Sequence, residues 1–252
     1  MNDLARRAIE KVTSVLPPRI AARIDLLRAD LAKGFGPFNG QEQRQAILGS
    51  VLQSYPFDLV IESGTFRGTT TQLLRRLTSA PIITIEVSGR YYEYARQRLS
   101  GLPDIEIIHG DSPTEIRRMA ARPTQDKRAR VFAYLDAHWG QSLPTRWEIL
   151  EILSSWDSVC IVVDDFNVPG DPGYAYDDYG PGMALDVGLL SGLPLADVSV
   201  FFPRIPSAEE TGYRRGWVVL GRGNELVAHL SRTEGLALAD GYLTSRQSGL
   251  GT

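Results

Sequence analysis

Two short acidic segments carry the residue types best suited to chemistry. One reads Tyr134-Leu135-Asp136-Ala137-His138-Trp139, the other Val162-Val163-Asp164-Asp165-Phe166. Each follows an apolar run of the kind that forms a buried strand, so the acids and the imidazole sit where strands end. Carboxylates that converge in one crevice repel, and at least one must take up a proton unless a cation neutralises them. With oxygen donors and no thiolate, the expected cation is Mg²⁺ or Mn²⁺ rather than zinc, held by Asp136, Asp164 and Asp165. His138 lies two residues beyond Asp136, on the same face of an extended backbone. Imidazole titrates near neutrality, which makes His138 the candidate general base for an acceptor hydroxyl that the cation orients and acidifies.

A second constellation lies upstream. The segment Glu62-Ser63-Gly64-Thr65-Phe66-Arg67-Gly68-Thr69-Thr70 joins a strand-like run to a helix-like one. Glycines at such a turn let backbone approach a ligand closely, and the helix N-terminus offers free N–H groups. The spacing is E-x-G-x-x-x-G, not the G-x-G-x-x-G of dinucleotide sites. An acid before the first glycine repels a pyrophosphate but suits an ammonium group. Glu86 ends the next strand-like run, where a carboxylate can accept from two ribose hydroxyls. Asp111, followed by Ser112, can accept from an adenine amino group. An ammonium, a ribose and an adenine together describe S-adenosylmethionine. Its expected contacts are Glu62, Gly64, Thr65, Gly68, Thr69, Glu86, Asp111, Ser112 and Asp136.

The elements that must position these residues recur with a steady beat. Apolar runs at 57–61, 81–87, 105–109, 130–135 and 158–163 alternate with helical patterning at Thr70–Leu77, Tyr91–Leu99 and Trp147–Leu153. The strand-end acids Glu62, Glu86, Asp111, Asp136 and Asp164 recur every 24 to 28 residues, the length of one strand–helix unit. Continuous β-branched runs alternating with helices predict a parallel sheet covered on both faces. The runs 198–202 and 216–220 have too few residues between them for a crossover helix and predict an antiparallel, hairpin-like ending. The expected fold is α/β: a doubly wound, Rossmann-like, seven-stranded and mostly parallel sheet with an N-terminal helical extension. Residues 1–40 form that extension, two helices broken at Pro17-Pro18, with Ile20, Ile24, Leu27 and Leu31 as an apolar stripe fit for a lid or a homodimer. Residues 41–243 form the catalytic domain, and 244–252 a disordered tail.

Over about residues 41–222 the pattern resembles the class I S-adenosylmethionine-dependent methyltransferases. E-x-G-x-x-R-G, D-x-H after the fourth strand and V-V-D-D-F after the fifth are similar to the metal-dependent sugar and natural-product O-methyltransferases. That group includes the macrocin O-methyltransferase-like and cephalosporin-hydroxylase-like families. The resemblance implies Asp136, Asp164 and Asp165 as Mg²⁺ ligands and His138 as base. Two departures stand out: some relatives use an aspartate as base, and the segment after Glu86 differs from the macrocin pattern.

The implied activity is methyl transfer to a hydroxyl of a sugar or glycoside. Loop 167–182 is the expected acceptor wall, with Tyr174, Tyr176 and Tyr179 offering flat faces and Asp171, Asp177 and Asp178 binding hydroxyls; His138 and Trp139 complete the pocket. A catechol-like phenol is the rival acceptor, favoured only by a more apolar pocket. A donor-binding protein without turnover is the rival from another class, although it would need neither the acids nor His138. Composition narrows the field further. With 27 Lys+Arg against 30 Asp+Glu, the net charge of −3 lacks the basic footprint of a nucleic-acid binder. A single Cys forms no internal disulfide. No apolar run reaches the ~18 residues of a membrane span, and residues 1–30 show no signal-peptide core. These features predict a cytoplasmic enzyme acting on a small-molecule or oligosaccharide acceptor. Cys160, His109 and His229 are expected to be structural.

Overall fold

The computed structural model describes residues 13, 15–27, 36–122, 126–140 and 142–239. The expected first helix, Leu31 and the tail 244–252 lie outside the described residues. Helix α1 (Pro18–Leu26) starts at the proline that fixes its first φ. A 3₁₀ turn (Pro37–Gly40) and α2 (Glu42–Ser54) follow. Strand and helix then alternate: β1 (Leu59–Ser63), α3 (Thr69–Leu77), β2 (Ile82–Glu86), α4 (Gly89–Leu99), β3 (Ile105–His109), α5 (Ser112–Ala120), β4 (Arg130–Leu135), α6 (Thr145–Ser155) and β5 (Ser158–Asp164). The chain ends with β6 (Val198–Pro203), β7 (Trp217–Arg222), α7 (Asn224–Arg232) and β8 (Leu236–Leu238).

The strand order is β3-β2-β1-β4-β5-β7-β6-β8. β3, β2, β1, β4 and β5 are parallel; β7 inserts antiparallel between β5 and β6, and β8 pairs antiparallel with β6. The parallel sheet and its antiparallel ending match the sequence expectation. The eighth strand corrects the count of seven. It holds only three residues, too few for a periodic signal to emerge.

Side-chain alternation along the strands divides the core into two layers. Ile61, Ala133, Leu135, Ile161 and Val163 face one side and pack with Ile116 of α5 and with Ile149 and Ile152 of α6. Val60, Phe132, Tyr134, Cys160 and Val162 face the other and pack with Leu48 of α2, Leu74 of α3 and Leu226 of α7. Both faces are thereby covered, which is why the strands read as unbroken apolar runs. Cys160 is buried, and the loss of water pushes its thiol well above the usual range.

Helix α1 packs on α4, but not through the expected stripe. Ile20 is 50% exposed and Leu27 is 87% exposed, while Ala21, Ala22 and Asp25 are buried. The reason is electrostatic: Asp25 accepts from Nε and Nη2 of Arg90 at 2.7 and 2.8 Å, and Arg19 reaches Glu93 at 3.1 Å. Small residues beside that ion pair allow close approach. Among the described residues, no helix is long and apolar enough to cross a membrane.

Candidate active site

The glycine turn after β1 is built on close approach. Gly64 has φ +81° and Gly68 φ +70°, both left-handed, and a Cβ on Gly64 would stand 2.1 Å from the Asp136 carbonyl oxygen. Only glycine lets the turn after β1 lie against the end of β4. Phe66 also takes a positive φ, 48°, and its N–H donates to Glu86 at 2.7 Å. A cleft opens beside this turn, lined by Gly64, Thr65 and Thr69 and by Phe38 and Asn39. Asp136 and Asp164 also line it.

Glu62 does not line that cleft. It is 1% exposed, and its Oε2 accepts from Thr71 at 2.5 Å and Thr84 at 2.7 Å. Thr65 joins the same chain through its hydroxyl, 2.6 Å from that of Thr84. Burial pushes the Glu62 carboxyl up to about 7, against the opposing hydrogen bonds from Thr71 and Thr84. Because the folded value lies above the ordinary 4.5, the folded state holds this proton more tightly. Stability is therefore present at low pH and is lost as pH rises through that interval. Glu62→Gln is expected to gain on the wild type by up to about 3 kcal/mol between those limits and to level off above them. Urea denaturation across the interval measures this, and a pH-independent difference between the two proteins would refute it.

Glu86 ends β2 nearly buried, with Phe66 and Ser88 N–H groups on its carboxylate; burial raises its pKa despite them. Asp111 is the residue expected at the adenine. It is exposed and caps α5, accepting from Thr114 N at 3.3 Å and Oγ1 at 2.7 Å. The adjacent Ser112 is buried.

The acid–imidazole group assembles, with one exchange of partners. Asp136, His138 and Asp165 each bring a ligand atom within 4.8 Å of the others. Nε2 of His138 lies 3.4 Å from Asp165, 3.6 Å from Asp177 and 3.9 Å from Asp136. Asp164, expected among the metal ligands, does not join. It shares the strand face of Val162 and Tyr134, and there it meets Arg44 of α2 at 2.6 Å. Tyr134 Oη and Asn39 Nδ2 also donate to it, as does the Asp165 N–H, so both its oxygens are saturated. Asp165 takes φ +52°, and this left-handed step sends the second carboxylate to the His138 side.

The electrostatics follow from this sorting. Burial works against charge on Arg44, but Asp164 outweighs it and the guanidinium stays protonated, ringed at 5.5 Å by Phe38, Tyr134 and Trp217. Burial raises the Asp165 carboxyl, but His138 and Arg215 overcome this and hold it down at about 2. Burial likewise opposes the His138 imidazolium, yet Asp165, Asp164 and Asp177 raise its pKa overall. For Asp136, loss of water and then Asp164 and Asp165 drive the carboxyl well above its usual range. Burial, with the crowding of four carboxylates beside Arg44, Arg215 and His138, disfavours charge on Asp136, and a bound cation would relieve it. The two carboxylates and imidazole of the triad fit a divalent ion. An imidazole donor suits Mn²⁺ better than Mg²⁺.

Loop 167–182 divides its labour. Tyr174 is buried with its hydroxyl on the Ile205 carbonyl at 2.9 Å, and Asp171 holds Ser207, so both support the loop and not an acceptor. Asp178 accepts from the Gly180 N–H. Asp177 does reach the site, bonded by Tyr179 and Arg215. Trp139 is 86% and Tyr176 37% exposed. His109 is structural, stacked on Tyr92 with its Nε2 3.1 Å from the Val87 carbonyl, and His229 packs on Tyr55. Sequence reasoning missed Arg44, Asn39 and Arg215: no local pattern marks them, because their partners lie 50 to 125 positions away.

No family model and no curated protein matches the chain. Solved structures do. The O-methyltransferase TomG from Streptomyces achromogenes, involved in tomaymycin synthesis and solved with SAM, is 18% identical, with 89% of this chain and all of that one covered at a TM-score of 0.56. An O-methyltransferase from Bacillus cereus in complex with SAH is 18% identical, covering 86% of this chain and 97% of that one, TM-score 0.56. The methyltransferase PaMTH1 from Podospora anserina, SAH-bound, is 13% identical over 89% and 97% of the two chains, TM-score 0.54. At these identities the likeness is one of fold, and the chain has the α/β Rossmann-like fold of the methyltransferases.

Proposed function

We propose that this chain is an S-adenosylmethionine-dependent O-methyltransferase that uses a divalent cation, Mg²⁺ or Mn²⁺, and acts on a hydroxyl of a sugar or glycoside. One observation carries the reading: Asp136 belongs to both halves of the site. Its carbonyl lies against the Gly64 turn that bounds the cleft, while its carboxyl belongs to the acid–imidazole group. Donor and acceptor would thus meet at one residue, as transfer between them requires.

Gly64, Thr65, Gly68 and Thr69 would hold the amino-acid end of the donor, with Glu62 behind them and Glu86 on the ribose. Asp136 and Asp165 would hold the cation. The donor supplies an electrophilic methyl group, and the cation supplies Lewis acidity that lowers the pKa of the acceptor hydroxyl. Nε2 of His138 takes the proton from that hydroxyl. This nitrogen cannot bind a metal and accept a proton at once, and the proposal gives it the proton. Arg44 pairs with Asp164 and fixes its position, and Arg215 does the same for Asp165 and Asp177. The acceptor wall of Trp139, Tyr176, Tyr179 and Asp177 combines flat faces with hydrogen-bonding groups, which supports a glycoside over a catechol.

A methyl-transfer screen over glycosides and catechols, with and without chelator, tests the proposal. Turnover on glycosides that chelator abolishes and Mn²⁺ or Mg²⁺ restores is the expected result. Turnover insensitive to chelator would remove the cation. Absence of both turnover and thermal stabilisation by S-adenosylhomocysteine would remove the enzyme.

A further inference from the structure

Helix α1 has no part in the proposed reaction, and its inner face is not the apolar seam of an ordinary packing helix. Ala21, Ala22 and Asp25 are buried against α4, and Asp25 accepts from Nε and Nη2 of Arg90 at 2.7 and 2.8 Å. The Asp25 side chain is 0% and that of Arg90 22% exposed. Two parallel bonds between a guanidinium and a carboxylate fix distance and angle together. A buried pair of this kind often adds little net stability over an apolar contact, so what it offers α4 is a defined position. Pro18 closes the same contact: a Cβ on Gly89 would stand 3.5 Å from its Cγ.

Arg90 belongs to the first turn of α4, which starts from Ser88 without a side-chain cap. That turn reaches the expected ribose carboxylate by two routes. Ser88 N–H donates to Glu86 Oε1 at 2.8 Å, and Tyr91 packs on Phe66 with ring centroids 4.4 Å apart. Phe66 in turn donates its N–H to Glu86 Oε2 at 2.7 Å. It does so from a left-handed backbone, φ +48°, which a phenylalanine keeps only where its surroundings hold it there. Tyr91 is part of that hold. Backbone donors thus fix both Glu86 oxygens, and each oxygen keeps a lone pair for a hydroxyl.

We propose that Asp25 and Arg90 are positioning residues for donor recognition. Their buried pair seats the first turn of α4, and that turn holds Glu86 and Phe66 in the geometry that reads the ribose diol. Helix α1 thereby acts on the donor without touching it. A carboxylate already ordered in the free protein loses no further freedom when the diol arrives, which is where the gain in affinity lies. This rests on the proposed donor and on Glu86 at its ribose.

Asp25→Asn and Arg90→Lys test it in the full chain: the first removes a charge, the second the fork that makes the pair bidentate. Calorimetry gives the affinity for S-adenosylhomocysteine and for its 2′-deoxyribose analogue, with thermal unfolding recorded beside it. The wild type should bind the analogue about 10-fold more weakly, as expected for loss of one hydrogen bond to a charged group. In whichever variant folds, S-adenosylhomocysteine should weaken by about 10-fold and the analogue by much less, so that the ratio falls toward one. A folded variant that keeps the wild-type ratio, whatever its melting temperature, makes the pair a structural contact only; the proposal then fails and the donor reading stands. A wild type that binds both ligands equally takes Glu86 off the ribose and the proposal with it. A wild type that binds neither overturns the donor reading itself, and the proposal falls with it.

Discussion

Arg44→Met is expected to destabilise the fold by about 3–5 kcal/mol, because it leaves a buried carboxylate without its counter-charge. Arg44 and Asp164 are both fully buried, 2.6 Å apart, with Tyr134 and Asn39 completing the network. Methionine roughly fills the aliphatic volume inside the Phe38, Tyr134 and Trp217 ring, so loss of packing contributes little. The double variant Arg44→Met/Asp164→Leu removes both charges and is expected to recover most of the loss, since a buried pair replaced by apolar groups is often neutral in stability. Denaturant unfolding of the two variants measures the difference. A single variant within 1 kcal/mol of the wild type would show that Asp164 finds its charge balance elsewhere, and the separation of Asp164 from the Asp136 group would lose its explanation.

His138→Ala is expected to lower kcat by roughly 10²–10⁴, the range for loss of a positioned general base. The ring is nearly buried, and its Nε2 lies within 4 Å of three carboxylates. Donor affinity should change little, because the cleft walls come from Gly64 to Thr69 and from the Phe38 segment. Calorimetric binding of S-adenosylhomocysteine beside steady-state turnover separates the two effects. Full turnover in the variant would assign proton removal to solvent at the cation. A parallel collapse of donor binding would instead make His138 part of the cleft's scaffold.

The two results bear on different carboxylates that stand next to each other in sequence, and this pair shows where sequence reading reaches its limit. By itself the sequence determined the parallel sheet, through apolar runs spaced by helical stretches. It also determined which residues lie at the strand ends, and it brought Asp136, His138 and Asp165 together, but it counted Asp164 among them as well. These are consequences of local periodicity: within one strand–helix unit, alternation and length dictate where a side chain emerges. Gly64 and Gly68 were legible for the same reason, since a left-handed turn needs them where they stand.

Tertiary structure decided which aspartate does what. Asp164 keeps the strand's alternation and lands on the α2 side, where Arg44, 120 positions earlier, neutralises it. The left-handed step at Asp165 breaks the alternation and turns the next carboxylate toward His138. Tertiary structure likewise made Asp111 a helix cap, buried the Asp25 face of α1 instead of its apolar stripe, and brought Asp177 alone among the loop's acids to the site. In each case the outcome depends on a charge or hydrogen-bond partner supplied from a distant segment. Periodicity within a segment carries no record of what will be packed against it.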